Sequence, residues 1–439
     1  MWSEPTQTMP REQLRDLQLR RLQALVGVVY ERVPFYRKRL DAAGVRPGSV
    51  TSLEDLALLP CTAKTDLREV FPFGLSAVDR REIVEVHMSS GTTGKPVVAG
   101  YTKADVALWG EVMARTLDSG GVGPSDIMQV AYGYGLFTGG LGGHYGGTTL
   151  GVMTLPMSSG NTLRQLTTMK DFGTTVLACT PSYALFIAEY AREQGIDLAA
   201  GPLRAGFFGA EPWCEQMRAE IETKLGIKAY DIYGLTELIG PGVAAECTEQ
   251  DGLHVFEDHF YPEVIDPETG EVLPAGEKGE LVLTTLTRQG TPVLRYRTRD
   301  ITYLIDEPCR CGRTSRRIHR LMGRDDDMLI IRGVNVFPQQ VEEVLLRVEG
   351  VEPYYQIIVD REGAMDSLEV DVEMAASLFS DEVKVVLALE RRIEHELKQA
   401  LGIQATVRLV NPKTIERSEG KAKRIVDRRS VPTGARSRP

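Results

Sequence analysis

The sequence predicts an α/β protein: a large, multi-sheet N-terminal domain followed by a smaller, mobile α+β domain. Three observations carry that prediction. From residue 83 to 320, short apolar runs (VLACTPSYALFI, LRAGFFGA, KAYDIYG, GELVLTTL, ITYLI) alternate with helical stretches, the rhythm of a layered α/β fold. At "MGRDDDMLIIRGVNVFPQQ" three consecutive aspartates, too polar for any core, interrupt that rhythm. Beyond them the pattern restarts as a compact βαββαβ unit of about a hundred residues, enough for a domain of its own. The expected division is therefore 1–323 and 324–439.

The elements follow in order. Leu14, Leu17, Leu22, Leu25, Val26 and Val29 recur at near-helical spacing before Pro34, so helices open the chain. Residues 127 to 163 contain no Asp, Glu, Lys or Arg, but their ten glycines make a poor membrane-spanning helix. That stretch is expected to be a buried, loop-rich pocket wall. "EVIDPETGEVLPAGEKGELVLTTL" sets two turn sequences between strand-like runs and predicts a β-rich portion. In the second domain the pattern gives a helix over 338–348, strands at YYQIIVD and LEVDVEM, a helix from about 381 to 400, and a strand at ATVRLV. From Asn411 onward nine Lys or Arg face three Asp or Glu. Residues 430–439 are read as a frayed terminus, whereas "ERSEGKAKR" is read as a functional turn.

Composition narrows the function. A chain of 439 residues with 42% hydrophobic and 26% charged residues is ordinary for a globular protein. Its formal charge of -10 argues against nucleic acid as a partner and for small molecules. The polar opening "MWSEPTQTMPREQLRDLQLRR" lacks the order of a secretory signal, so a cytoplasmic protein without a membrane anchor is expected. Six cysteines are too sparse for a disulfide scaffold. Cys309 and Cys311 form a C-x-C pair in "EPCRCGRT", and Cys247 and His254 lie upstream in "ECTEQDGLH". Three thiolates and one imidazole would make a closed, structural zinc site. Unligated cysteines, or His259 in place of His254, are the alternatives.

Other stretches carry chemistry. "HMSSGTTGKPVVAGYT" fails the P-loop pattern, because Gly91 and Gly94 are two residues apart and Pro96 follows Lys95. Ser89, Ser90, Gly91, Thr92, Thr93 and Gly94 nevertheless offer hydroxyl and amide donors that can converge on phosphate oxygens. "FFGAEPW" and "YDIYGLTE" place polar residues directly after apolar runs, at the carboxyl ends of strands where ligands of open α/β sheets collect. Glu237, ending the second, suits Mg²⁺, which takes one or two protein carboxylates in phosphate sites. Asp300 in "LRYRTRD" suits a ribose diol and its arginines suit phosphate. Tyr132, Tyr134 and Phe137 are either an aromatic slot or plain core. His144 is read as a satisfied interior histidine.

SSGTTGKP, GAEP, YGLTE, YRTRD, GRDDDMLIIRGVNVFP and RSEGKAKR, in this order, resemble the successive signatures of adenylate-forming acyl-CoA synthetases. "GYGLFTGGLGGHYG" and "EDHFYPEVIDPETGE" resemble the branch of that family that acts on aromatic acids. The likeness runs from residue 10 to 429. It implies an N-terminal adenylation domain binding ATP and acid, and a C-terminal domain carrying a catalytic lysine. It implies that residues 89–94 grip pyrophosphate with Lys95 as auxiliary cation, that Thr236 touches the α-phosphate and that Glu237 binds Mg²⁺. Gly209, Ala210, Glu211, Pro212, Asp231, Tyr233 and Gly234 would line the adenine, Asp300 the ribose, and Arg324 the ribose or phosphate. Asp326 matches the pivot, Gly333 a position near the entering pantetheine, and Lys421 the adenylating lysine, with Lys423 its rival. Tyr132, Tyr134 and Phe137 would face an aromatic acid, and some members of the family carry zinc. The implied partners are that acid, ATP and coenzyme A, with a carrier-protein thiol as an alternative acceptor and a homodimer as the expected assembly. A different class, a non-catalytic zinc-stabilised nucleotide-binding protein with a basic tail, predicts no pyrophosphate release.

Overall fold

The computed structural model describes residues 1–89, 96–332, 334–362, 365–375 and 383–429. Helices α1 (Glu4–Gln7), α2 (Arg11–Arg32) and α3 (Pro34–Ala42) open the chain. Of the spaced leucines and valines of α2, Leu14, Leu22, Leu25, Val26 and Val29 are buried and Leu17 is half-buried, and Pro34 begins α3 at the first helical position, where its missing N–H costs nothing. The short helix α4 (Lys64–Glu69) follows, then the hairpin β1 (Glu85–Met88) and β2 (Val98–Tyr101). Thr102 caps α5 (Lys103–Ser119) by accepting from the Asp105 N–H, and Asp105 accepts back from Thr102.

Next come β3 (Ile127–Val130), α6 (Thr138–Leu150), β4 (Met153–Pro156), α7 (Thr162–Phe172), β5 (Val176–Cys179), α8 (Pro181–Glu193), β6 (Ala205–Gly209), α9 (Glu215–Leu225) and β7 (Lys228–Leu235). These strands are mutually parallel, the βα alternation expected of the apolar runs. The chain continues through β8 (Gly240–Glu246), β9 (Leu253–Val255), β10 (Phe260–Ile265), β11 (Gly279–Thr285), β12 (Tyr296–Thr302), β13 (Leu304–Ile305), β14 (Arg317–Ile318) and β15 (Gly323–Arg324). One mixed sheet runs β13-β14-β9-β8-β7-β6-β5-β3-β4, and an antiparallel sheet runs β10-β11-β12-β15. The turn-rich sequence around residue 270 accordingly joins β10 to β11.

The expected loop-rich wall is instead built around a helix. Six of the thirteen residues of α6 are glycine, which local propensity disfavours by about 1 kcal/mol each. Tertiary packing overrides that preference. A Cβ on Gly146 would stand 2.5 Å from Met113 Cβ of α5, and one on Gly142 would stand 2.6 Å from Pro241 of β8. The glycines let α6 lie directly against its neighbours, and the interhelix contact supplies what propensity withholds.

From β16 (Leu329–Ile331) and β17 (Val334–Val336) onward the chain builds its own sheets and its own core, centred on Ile331, Val336, Ile357, Val370 and Ile393. Here lie α10 (Pro338–Leu345), β18 (Val351–Glu362), β19 (Met365–Met374), α11 (Val383–Leu401), β20 (Thr406–Val410) and β21 (Ile425–Asp427), with sheet order β20-β19-β18-β21. The helix expected over 338–348 ends at Leu345, and β21, parallel to β18, is an additional strand. Residues 430–439, read as frayed, lie outside the described residues. Among the described residues, no helix is long and apolar enough to cross a membrane.

Candidate active site

The carboxyl ends of β5, β6 and β7 deliver Thr180, Gly209 to Glu211, and Thr236 with Glu237 into one cleft. Gly209 is required by close approach, since a Cβ would lie 2.3 Å from the Ile232 carbonyl oxygen. Ala210 takes φ 69, a strained value for an L-residue, as the chain turns toward the cleft and the exposed Pro212. Gly234 meets β8 so closely that a Cβ would stand 1.9 Å from the Gly240 carbonyl oxygen.

Glu237 is only 4% exposed, with Thr236 buried beside it. Its Oε1 lies 3.5 Å from Lys64 Nζ on α4, and burial together with this carboxylate pushes the Tyr296 phenol well up. Asp300 on β12 and Arg324 on β15 are direct cross-strand partners, with Nη1 to Oδ1 at 2.8 Å. Tyr233 donates its hydroxyl to the other oxygen of Asp300 at 2.6 Å. That tyrosine, expected along the adenine, thus orients the ribose candidate. Burial lifts the Asp231 carboxyl to about 6 against the pull of Arg320, with Glu246 adding to the rise.

The second domain inserts a loop into this cleft. Thr180 Oγ1 donates to the Gly420 carbonyl at 2.8 Å, and Thr162 Oγ1 lies 3.4 Å from Glu419 Oε1. Glu211 accepts from the N–H of Ser182 at 2.7 Å and from that of Ala422 at 2.9 Å. Each carboxylate oxygen thus accepts from a backbone donor, one of them across the domains. Lys421 is thereby presented with Nζ 5.8 Å from the centroid of the Phe137 ring. Loss of water in the cleft lowers the Lys421 pKa, Arg324 and Lys64 push the same way, and Glu211 and Glu237 oppose them. Lys423 has its carbonyl reached by Gln356 of its own domain.

Of the aromatic residues, Tyr132 is core and donates to the Phe207 carbonyl at 3.3 Å, while Tyr134 and Phe137 are half-buried. His144, expected to be satisfied, has no partner for Nδ1 among the described residues, and neither has the Tyr134 hydroxyl. The two rings meet edge to face at 6.1 Å. Ser89 is pinned to Val97 by two hydrogen bonds of 3.0 Å. Ser90, Gly91, Thr92, Thr93, Gly94, Lys95 and Gly333 lie outside the described residues. Asp326 sits in the 3₁₀ turn Asp325–Asp327 between the domains.

Away from the cleft, Cys247, His254, Cys309 and Cys311 converge, their donor atoms all within 4.8 Å of one another. Cys247 Sγ is 3.7 Å from Cys309 Sγ, and Cys311 Sγ is 3.4 Å from His254 Nε2. A tetrahedral zinc with bonds of about 2.3 Å to sulfur and 2.0 Å to nitrogen needs edges of about 3.8 and 3.5 Å. The donors fit that ion, and Ser315 Oγ, 3.2 Å from Nδ1, orients the imidazole. His259 is placed elsewhere, 3.0 Å from Asp258.

A cleft at strand ends, roofed by a second domain that offers a lysine, suits a class of two-domain enzymes, and the comparisons show which. The chain belongs to the AMP-binding enzyme family, whose model matches residues 20–286, with the AMP-binding enzyme C-terminal domain matching 333–429. Within it, the phenylacetate-coenzyme A ligase of Thermus thermophilus is 50% identical over 98% of this chain and 100% of its own length. The phenylacetate-coenzyme A ligase of Escherichia coli is 48% identical over 98% of both chains. The solved structure of a 2-hydroxyisobutyryl-CoA ligase in its postadenylation state with 2-HIB-AMP superposes with TM-score 0.92, at 32% identity, over 97% of this chain and 91% of that one. In its thioesterification state, with 2-HIB-AMP and CoA, that ligase gives 0.73 over 97% of this chain and 92% of that one. The domain arrangement here thus superposes more closely on that ligase's postadenylation structure than on its thioesterification structure.

Proposed function

We propose that this chain ligates phenylacetate to coenzyme A in two steps within one cleft. First, a carboxylate oxygen of the acid attacks the α-phosphorus of ATP and pyrophosphate leaves, giving phenylacetyl-adenylate. Then the thiol of coenzyme A, losing its proton, attacks the acyl carbonyl and AMP departs. The observation that carries the reading is the delivery of Lys421 into the cleft that holds Glu237, Asp300 and Arg324. Two anions must meet in the first step, so a preorganised cation is what the chemistry requires. Lys421 neutralises oxygen charge there. Asp300, steadied by Tyr233 and Arg324, receives the ribose hydroxyls. Glu237, a buried carboxylate beside the cleft, would hold Mg²⁺, which supplies further charge neutralisation on the phosphates when bound. Lys64, paired with Glu237, is a second cation near the phosphates. In this reading residues 89–95 hold the pyrophosphate, Asp326 is the pivot between domains 1–323 and 324–439, and Gly333 serves the thiol's entry.

Phenylacetate-dependent exchange of pyrophosphate into ATP tests the first step, and CoA-dependent AMP release tests the second. A specific observation favours a second reading, a ring-hydroxylated arylacetic acid. Among the described residues the enclosed Tyr134 hydroxyl and His144 Nδ1 have no hydrogen-bond partner, and each would be satisfied by a ring hydroxyl. A panel of acids decides by kcat/KM.

Structural zinc and a homodimer complete the proposal. Purified protein is expected to carry about one zinc per chain, measured by elemental analysis, and Cys309→Ser to lose both the metal and several degrees of melting temperature. A metal-free wild type with unchanged melting behaviour contradicts the zinc assignment. Light scattering tests the dimer.

A further inference from the structure

Four residues before Lys421, Arg417 bridges the two domains. Its Nε and Nη2 donate to both oxygens of Glu189 on α8, at 3.0 and 2.9 Å, and its Nη1 donates to Glu373 Oε1 on β19 at 2.6 Å. The guanidinium lies 3.4 Å over the ring of Tyr354. Glu373 also accepts from the N–H groups of Lys413 and Ile415, so it fixes the turn that leads into the lysine loop within its own domain. The Glu189 contact is different: it crosses to the other domain, and rigid rotation must break it.

Helix α8 therefore holds the lysine loop at two places, besides an exposed pair of its last residue, Glu193, with Lys413 ahead of the loop at 2.6 Å. Its N-terminal end, with Thr180, Ser182 and Glu211, grips Gly420 and Ala422. Seven residues on from Ser182, about 10 Å along the helix axis, Glu189 grips Arg417. Both partners are mostly buried, at 13% and 17% side-chain exposure. A bidentate, charge-assisted pair of this kind has directional strength that a solvated surface pair lacks.

We propose that Glu189 and Arg417 are positioning residues for the adenylation half-reaction. Their ion pair seats the Lys421 loop and is released when the second domain turns to admit the thiol. The proposal rests on Lys421 being the adenylating lysine, and the test separates the two ideas. Two rates are measured on full-length protein: phenylacetate-dependent pyrophosphate exchange, and CoA thioester formation from supplied synthetic phenylacetyl-adenylate. In Glu189→Gln the ratio of thioester formation to exchange is expected to rise about tenfold, equivalent to about 1.4 kcal/mol. Glu189→Asp, which keeps the charge, restores part of the original ratio, and Arg417→Lys falls between. A Glu189→Gln ratio that stays at the wild-type value, whether both rates hold or both fall together, overturns the proposal. Lys421→Ala is run alongside. Exchange that survives in it refutes the lysine assignment itself, whereas exchange lost there with no ratio change in Glu189→Gln refutes only the positioning pair.

Discussion

Replacing Gly146 by alanine tests whether the glycine-rich helix α6 owes its existence to packing. Propensity alone argues for stabilisation by about 0.8–1.0 kcal/mol, since alanine is the best helix former and glycine among the worst. Geometry argues the other way. The new Cβ would lie 2.5 Å from Met113 Cβ and 2.9 Å from the Met113 carbonyl carbon, atoms fixed by the backbone of α5. No flexible side-chain end can step aside, so the helices must separate, at the 1–3 kcal/mol typical of overpacking. The net expectation is a loss of about 1 kcal/mol, read as a melting temperature lower by roughly 1–2 °C. Because α6 follows directly on the loop bearing Tyr134 and Phe137, the KM for the acid should rise with it. Gly27 in α2 is the control: a Cβ there meets nothing within 4 Å, and Gly27→Ala should gain stability. Equal stabilisation by both substitutions, in a thermal melt monitored by circular dichroism, would show that α6 is not held by close approach.

Two pH dependences follow. The cleft lowers the Lys421 pKa below its ordinary 10.5, and the proposed adenylation needs the ammonium. The kcat/KM for exchange should therefore fall on the alkaline side below that value, and a profile level up to it contradicts this. For His259, burial lowers the pKa but Asp258 and Glu111 outweigh it, so the net shift is upward. A raised folded pKa contributes stability that is fully present below the unfolded value of about 6.5 and is lost as pH rises through the folded pKa. Melting temperature should decline across that window, and His259→Gln should flatten the decline.

How much of the site was legible in the sequence depends on how far apart its partners lie. Gly209 to Glu211, and Thr236 with Glu237, could be placed because an apolar strand run ends directly before each. Asp300 could be named, but its hold by Tyr233 and Arg324 required the β12–β15 register. Glu211 meets Ala422 across 211 positions of chain, and no local pattern announces such a pairing. Lys64 was missed for the same reason: it is an ordinary lysine at the start of a short helix until the fold brings it to Glu237. The cysteine cluster was readable as donor types, but the choice between His254 and His259, both near β9, was made by the fold. Helix α6 was misjudged because propensity is local and helix packing is not, and β21 because three residues beside β18 are too few to carry a period.

In the proposed mechanism a cation from the second domain, Lys421, makes adenylation possible. The most direct test is phenylacetate-dependent ATP–pyrophosphate exchange in the wild type and in Lys421→Ala, with ATP binding measured in both. We expect exchange in the wild type, its loss by a factor on the order of 10² to 10³ in the variant, and ATP bound by both. Full exchange in Lys421→Ala, with loss appearing instead in Lys423→Ala, would contradict the account.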